Sequence, residues 1–309
     1  MTPPLQTALK RYPPALLATC PVPWTNRDKF DEPLFRQVAA RLARDFTPHV
    51  YLFGTAGEGY AVTDRQYDAI LAAFREALPA DAQPMIGIIS LSVGTVAERI
   101  ERGRAAGFRD FQLSLPSWGA LTEAETDRFF AETCGRFPDC RFLHYNLMRA
   151  KRLLDGDTYG RLARAHPNLV AVKMGGENTA AFADILTKAP ALQCFFTEFG
   201  YAAMRDTQEC GLLAAISASN HRKGLAYHAA RGPQLAALAE EFRAVHRALK
   251  AALDPAATYM DGVYDKLLLK LEFPDFPLRL LPPYASADDG AFARFRAGLP
   301  SGWSAAELS

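Results

Sequence analysis

The sequence predicts an α/β protein, a (β/α)8 TIM barrel with a C-terminal helical extension. Eight short apolar runs of strand length alternate with amphipathic stretches of helical length. The runs are apolar on both faces, as parallel strands packed inside and outside a barrel require. The 309 residues hold eight such units and leave a remainder for further helices.

The strand candidates, in order, are "ALLAT" (15–19), "VYLFG" (50–54), "MIGIIS" (85–90), "DFQLSL" (110–115), "RFLHY" (141–145), "LVAVKM" (169–174), "LQCFFT" (192–197) and "LLAAIS" (212–217). Between them lie stretches such as "DEPLFRQVAARLARDF", "TDRQYDAILAAFREAL", "GTVAERIERGRAAGF" and "TEAETDRFFAETCGRF", with apolar residues at helical spacing. Thr63 before Asp64, Thr122 before Glu123, and Asn178 are expected N-caps, because their side-chain oxygens accept from otherwise orphaned helix amides. A polar loop with Pro233 follows the eighth run. Then "QLAALAEEFRAVHRALKAAL", "DGVYDKLLLKLE" and "GAFARFRAGL" exceed what a barrel needs. The expected organisation is a barrel over residues 1–228 and C-terminal helices over 229–309, packed on it as one structural unit.

Composition narrows the function. Hydrophobic content of 49% and charged content of 22% are ordinary globular values, and the net charge is +1. No basic block points to nucleic acid or to an anionic membrane. No apolar run reaches membrane-spanning length, and the first residues carry neither an apolar leader core nor a cleavage signature. The five cysteines are odd in number and lack CxxC spacing, so buried free thiols in a cytoplasmic, reducing setting are expected. The six histidines are scattered without HxH or HxxxH spacing, so neither a metal nor another cofactor is expected.

A barrel does its chemistry where its strands end. Lys173 closes the sixth run, and alternation puts residues 169, 171 and 173 on one face. Facing the interior, its ammonium would lie above apolar layers. Desolvation lowers the pKa there and frees an amine that attacks carbonyls. Taken alone, the residue reads more readily as a lysine snorkelling to the surface or pairing with a carboxylate. Tyr145 ends the neighbouring fifth run, where a phenol can shuttle protons beside an amine or simply pack at the rim. Thr55 follows the second run, placed to relay a proton or to bond its own turn. It sits in "GTAGE" (54–58), whose two glycines let backbone amides approach a small anion.

GxxGE after the second strand, "YN" at the end of the fifth, and a lysine 28 residues after the tyrosine (173 − 145) together resemble the dihydrodipicolinate synthase / N-acetylneuraminate lyase family of class I aldolases. The resemblance extends from "ALLATCPVPW" to "YDKLLLKLEF" and "LRLLPPY". It implies that Lys173 forms a Schiff base with pyruvate or another 2-oxo acid and that Tyr145 is the general acid/base. Thr55 would pass protons to Tyr145, and the amides of Ala56 and Gly57 would hold the substrate carboxylate. Glu58 is expected to be structural, bonding backbone within its own loop. The family is usually tetrameric, so a homo-oligomer is implied.

The departures bear on the substrate. Ala56 replaces a hydroxyl residue that would bond the carboxylate, a loss of about 1.5–3 kcal/mol for a charged acceptor. "LPSWG" puts Trp118 where the synthases carry a relay tyrosine lent by a neighbouring subunit, and an indole cannot relay as a phenol does. In "YNLMRAKR" the family's substrate arginine falls on Ala150, flanked by Arg149 and Lys151. "TEFGYAAM" lacks the paired acids of the sialic-acid lyases. Around the eighth strand only Gly211 and Asn220 persist of the family's pattern, and Ser217 is a substrate-binding candidate. Trp118, Phe199 and Tyr201 suggest an aromatic wall, with core packing as the other reading.

These readings describe a relative with the same Schiff-base core and a different substrate, neither a true dihydrodipicolinate synthase nor a true sialic-acid lyase. A dehydratase of a 2-oxo-3-deoxy sugar acid uses the same lysine. A non-catalytic barrel that binds a small acid is the alternative from another class. A metal-dependent barrel would need several metal-ligating strand ends, and His144, the one strand-end histidine, is aimed away from Tyr145. "NHRKG" (220–224) reads as a solvated basic loop before a phosphate site.

Overall fold

Strand β1 (Leu16–Thr19) pairs in parallel with both β2 (Val50–Leu52) and β8 (Gly211–Ala214), and this closes the sheet. Between them run β3 (Met85–Gly87), β4 (Asp110–Leu113), β5 (Arg141–Asn146), β6 (Leu169–Met174) and β7 (Gln193–Phe196), each parallel to its neighbours. This is the architecture of a computed structural model that describes residues 9–303. Residues 1–8, part of the stretch read for a leader, and 304–309, the end of the C-terminal extension, lie outside the described residues.

The eight predicted runs are the eight strands, mostly trimmed at the ends. The "MIGIIS" run leaves the sheet after Gly87, where a Cβ would meet the Phe53 carbonyl oxygen at 2.1 Å. Glycine is required there because β2 and its loop cross so closely. In β6 the alternation breaks once. The pairing steps from Leu169 to Ala171 opposite consecutive residues of β5, so Val170 is bulged. Ala171 and Lys173 therefore face the interior, whereas Leu169 packs outward with the helices.

Helices α1 (Glu32–Arg41), α2 (Asp64–Ala77), α3 (Val93–Ala105), α4 (Glu123–Phe130), α5 (Gly156–Ala165), α6 (Thr179–Lys188), α7 (Glu198–Met204) and α8 (His221–Ala229) follow their strands. Thr63 and Thr122 close full capping boxes with Gln66 and Glu125, and Asn178 accepts from Ala181. Asn220 caps α8 by accepting from the Lys223 amide, and its own amide group donates to the Trp303 carbonyl. The "NHRKG" segment is thus a tied helix start.

Apolar burial forms two layers. The outer one lies between strands and helices. The inner one, including Leu17, Tyr51, Leu143, Ala171, Phe195 and Leu213, fills the barrel, and Tyr12 packs edge-on against Phe195. The five cysteines are free and buried. Among the described residues no helix is long and apolar enough to cross a membrane, and no His/Cys/Asp/Glu group is arranged to hold a metal.

Beyond the barrel come α9 (Gly232–Ala252), α10 (Asp261–Leu269) and α11 (Asp289–Ala297). Glu58 fixes α10. Its carboxylate accepts from Trp24 Nε1 at 2.8 Å, from Lys266 Nζ at 2.6 Å and from the Leu281 amide at 2.7 Å. The expectation that Glu58 bonds within its own loop is corrected here. The Glu58 and Gly59 amides already donate to the Thr55 and Gly54 carbonyls, so the carboxylate turns to other segments. Both ions of the pair are fully buried. Removing one partner strands a charge, so Lys266→Ala is expected to lower stability by about 3–5 kcal/mol, read from the urea midpoint.

Candidate active site

The C-terminal ends of β1, β2, β5, β6 and β8 open into a cavity of about 390 Å³, roofed by α9 and α10. Lys173 stands at its floor, 3% exposed. Register places it beside Tyr145 on β5 and Phe195 on β7. Its Nζ donates to the Tyr51 hydroxyl at 2.7 Å and to Gln112 Oε1 at 3.4 Å. It also lies 3.9 Å from the Tyr145 ring centroid and 4.6 Å from that of Tyr51. Among the described residues no carboxylate bonds to it. Burial therefore dominates and pushes the amine down to about 7, against the upward pull of Asp261 and Asp265.

Tyr145 and Thr55 line the same cavity. Burial raises the Tyr145 phenol, and the Thr55 side chain opposes that rise. In the loop after β2, the amides of Ala56 and Gly57 have no protein acceptor among the described residues, while those of Glu58 and Gly59 close the turn. Ala56 lines the cavity. Gly57 is needed for a different reason than approach to an anion: a Cβ there would meet the Phe53 nitrogen at 2.8 Å.

The remaining candidates are placed less centrally. Trp118 is 84% exposed, and its carbonyl accepts from Lys151 Nζ at 2.8 Å, so these two lie together on the surface away from Lys173. Arg149 lines a neighbouring cavity and makes a two-pronged pair at 2.9 and 3.1 Å with Asp261, which lines the cavity of Lys173. Ser217 is buried and donates to Glu198 Oε1 at 2.9 Å, one layer behind the lining. Phe199 lines the cavity, whereas Tyr201 is a core residue, its hydroxyl donating to the His228 carbonyl. His144 faces the outer layer, bonded to the Tyr159 hydroxyl at 2.6 Å, and burial pushes it down to about 3.

Sequence reasoning missed four groups. Tyr51 and Gln112 are inward residues of β2 and β4, and period-two alternation could have flagged both. Asp261 and Asp265 sit four apart on α10, which puts both carboxyls on one helical face. That spacing was visible, but the element covering the face was not.

The Dihydrodipicolinate synthetase family model matches residues 13–252, and the chain belongs to this family. No curated protein matches it in sequence. Among solved structures, a dihydrodipicolinate synthase family protein from Coccidioides immitis superposes with a TM-score of 0.78 at 20% identity, covering 94% of this chain and 95% of its own. A prophage protein of the same family from E. coli K12, solved in complex with pyruvate, gives 0.79 at 14% identity over 91% and 96%. Proteus mirabilis N-acetylneuraminate lyase gives 0.77 at 16% identity over 92% and 98%. At these identities the likeness is one of fold.

The buried amine sets a stability prediction. Its folded pKa of about 7 lies below the ordinary 10.5, so between these values the unfolded chain holds a proton that the folded chain lacks. The group's contribution therefore rises with pH across that window and is at its worst below it. Lys173→Met is expected to remove this rise and to stabilise the protein at pH 7 by about 1–4 kcal/mol in urea unfolding, with lost hydrogen bonds offsetting part of the gain. A destabilised Met variant would contradict the desolvated state.

Proposed function

We propose that this member of the dihydrodipicolinate synthetase family is a class I lyase or aldolase in which Lys173 forms a Schiff base with pyruvate or a related 2-oxo acid. One observation carries the reading: Lys173 is buried at the mouth of the barrel with only neutral partners on its nitrogen. An amine so placed is a nucleophile near neutral pH. The binding of pyruvate by the E. coli neighbour is consistent with it.

In this reading the unpaired amides of Ala56 and Gly57 hold the substrate carboxylate, which places C2 over Nζ. Attack gives a carbinolamine. Tyr145, assisted by Thr55, carries the proton from nitrogen to oxygen. The imine then draws electrons from the neighbouring carbon, so a bond to the next carbon can break or form. With Ala56 and Trp118 in place of a carboxylate-bonding hydroxyl and a relay phenol, the substrate differs from that of dihydrodipicolinate synthase.

A second reading, a dehydratase of a 2-oxo-3-deoxy sugar acid, uses the same imine to expel a β-hydroxyl. The Asp261, Asp265 and Glu177 side chains around the cavity favour it, since carboxyl groups suit hydroxyl-bearing substrates. Exposed Leu91, Trp118 and Met148 support a homo-oligomer, and the buried free thiols support a cytoplasmic setting.

Sodium borohydride reduction with excess pyruvate, followed by intact mass, tests the reading. A pyruvate-sized adduct is expected on wild type and not on Lys173→Ala. Folded wild type that stays unmodified with pyruvate and with larger 2-oxo acids would leave the barrel a small-acid-binding module.

A further inference from the structure

The carboxylates around the cavity are not equivalent. Asp261 is bound to Arg149, and Glu177 to Arg243 at 2.9 Å. Glu198 is buried, accepting from the Ala215 and Ser217 amides and the Ser217 hydroxyl at 2.8–2.9 Å. Asp265 alone among these four has neither a hydrogen bond nor an ion pair among the described residues, yet it lines the cavity that holds Lys173. It is also held in place, because the next residue, Lys266, is locked to Glu58 and to the Arg279 carbonyl. A carboxyl without a protein partner thus sits on a fixed helix in the wall of the cavity that holds the amine.

We propose that Asp265 is the general acid that expels the carbinolamine hydroxyl as water during Schiff-base formation at Lys173, a role that rests on the Lys173 reading above. Its carboxylic acid gives a proton to the hydroxyl, the C–O bond breaks, and water leaves. The nitrogen lone pair completes the C=N bond. A neutral carbinolamine and a neutral acid become an iminium cation and a carboxylate, so the charge is unchanged and the two products attract. In the reverse direction the carboxylate takes a proton from the water that attacks the iminium carbon, and the acid is restored.

The neighbouring groups suit this role. Asp261 on the same helix, Glu198 on α7 and Lys173 on β6 line the same cavity and act on Asp265 through their charges. Its charge is felt by Tyr51 on β2 and Tyr145 on β5, and His246 and Lys250 of α9 line the same cavity. Burial, then Asp261, raise the Asp265 carboxyl to about 8, with Lys173 pulling it down. The amine is pushed down and the acid up toward the same neutral range, so the pair shares one proton there, and the form with free amine and protonated acid is the reactive one. The phenols are pushed the other way, above their usual value. The carboxyl is the stronger proton donor of the set.

The test follows the rate of pyruvate adduct formation on the full chain under excess cyanoborohydride, across the neutral and alkaline range. For wild type the rate is expected to rise as the amine is freed and to fall as the acid is lost. Asp265→Asn is expected to slow the reaction by about 10²–10⁴-fold and to lose the alkaline fall. Asp265→Glu is expected to keep the fall and recover part of the rate. A rate for Asp265→Asn within about threefold of wild type, or an unchanged alkaline limb in that variant, overturns the assignment while leaving Lys173 in place. If Asp265→Asn does not fold, loss of the alkaline limb in Asp265→Glu overturns it instead. Absence of an adduct on wild type overturns the Lys173 reading itself.

Discussion

The buried pair of Glu58 and Lys266 decides where the mouth of the barrel lies. Taking two ions out of water costs several kcal/mol each, and only close, fully bonded geometry offsets it. Glu58 meets that condition with three donors from three distant segments, Trp24, Lys266 and the Leu281 amide. The loop after β2, the segment after β1, α10 and the segment around Leu281 between α10 and α11 are therefore fixed to one point. The reacting groups hang from that arrangement. Thr55 and Ala56 sit on the loop that begins the pair, and Asp261 and Asp265 sit on the helix that ends it.

A second constraint acts inside the barrel. Leu17, Leu143, Ala171, Phe195 and Leu213 fill the space below Lys173 and offer no charge to offset its own. Burial disfavours the charged form, so the amine loses its proton more easily than in solution. Tyr51 and Gln112 then hold a polar group that an apolar floor would otherwise leave unsatisfied. The same burial that would make the lysine reactive in the proposed mechanism makes it a burden on the fold, an exchange of stability for function common at catalytic sites.

Much of this was legible in the sequence, for physical reasons. The eight strands announce themselves because a doubly covered parallel sheet must be apolar on both faces. Thr63, Thr122 and Asn178 mark helix starts because orphaned amides need an acceptor. The positions of Lys173, Tyr145 and Thr55 around one cavity follow from alternation and strand order. Other features depend on contacts distant in sequence. Arg149 is taken by Asp261, 112 residues away. The bulge at Val170 turns Leu169 outward, which a strict period of two cannot foresee. Alternation turns Tyr51 inward, but its bond to Lys173 joins residues 122 apart. Asp265 lies in a helix whose covering role appears only once Glu58 binds Lys266.

A crystal structure after soaking with pyruvate tests the central claim most directly. Continuous density from Lys173 Nζ to C2 of the ligand is predicted, with the carboxylate on the Ala56 and Gly57 amides. Pyruvate bound elsewhere, with Nζ still on the Tyr51 hydroxyl, would contradict the account.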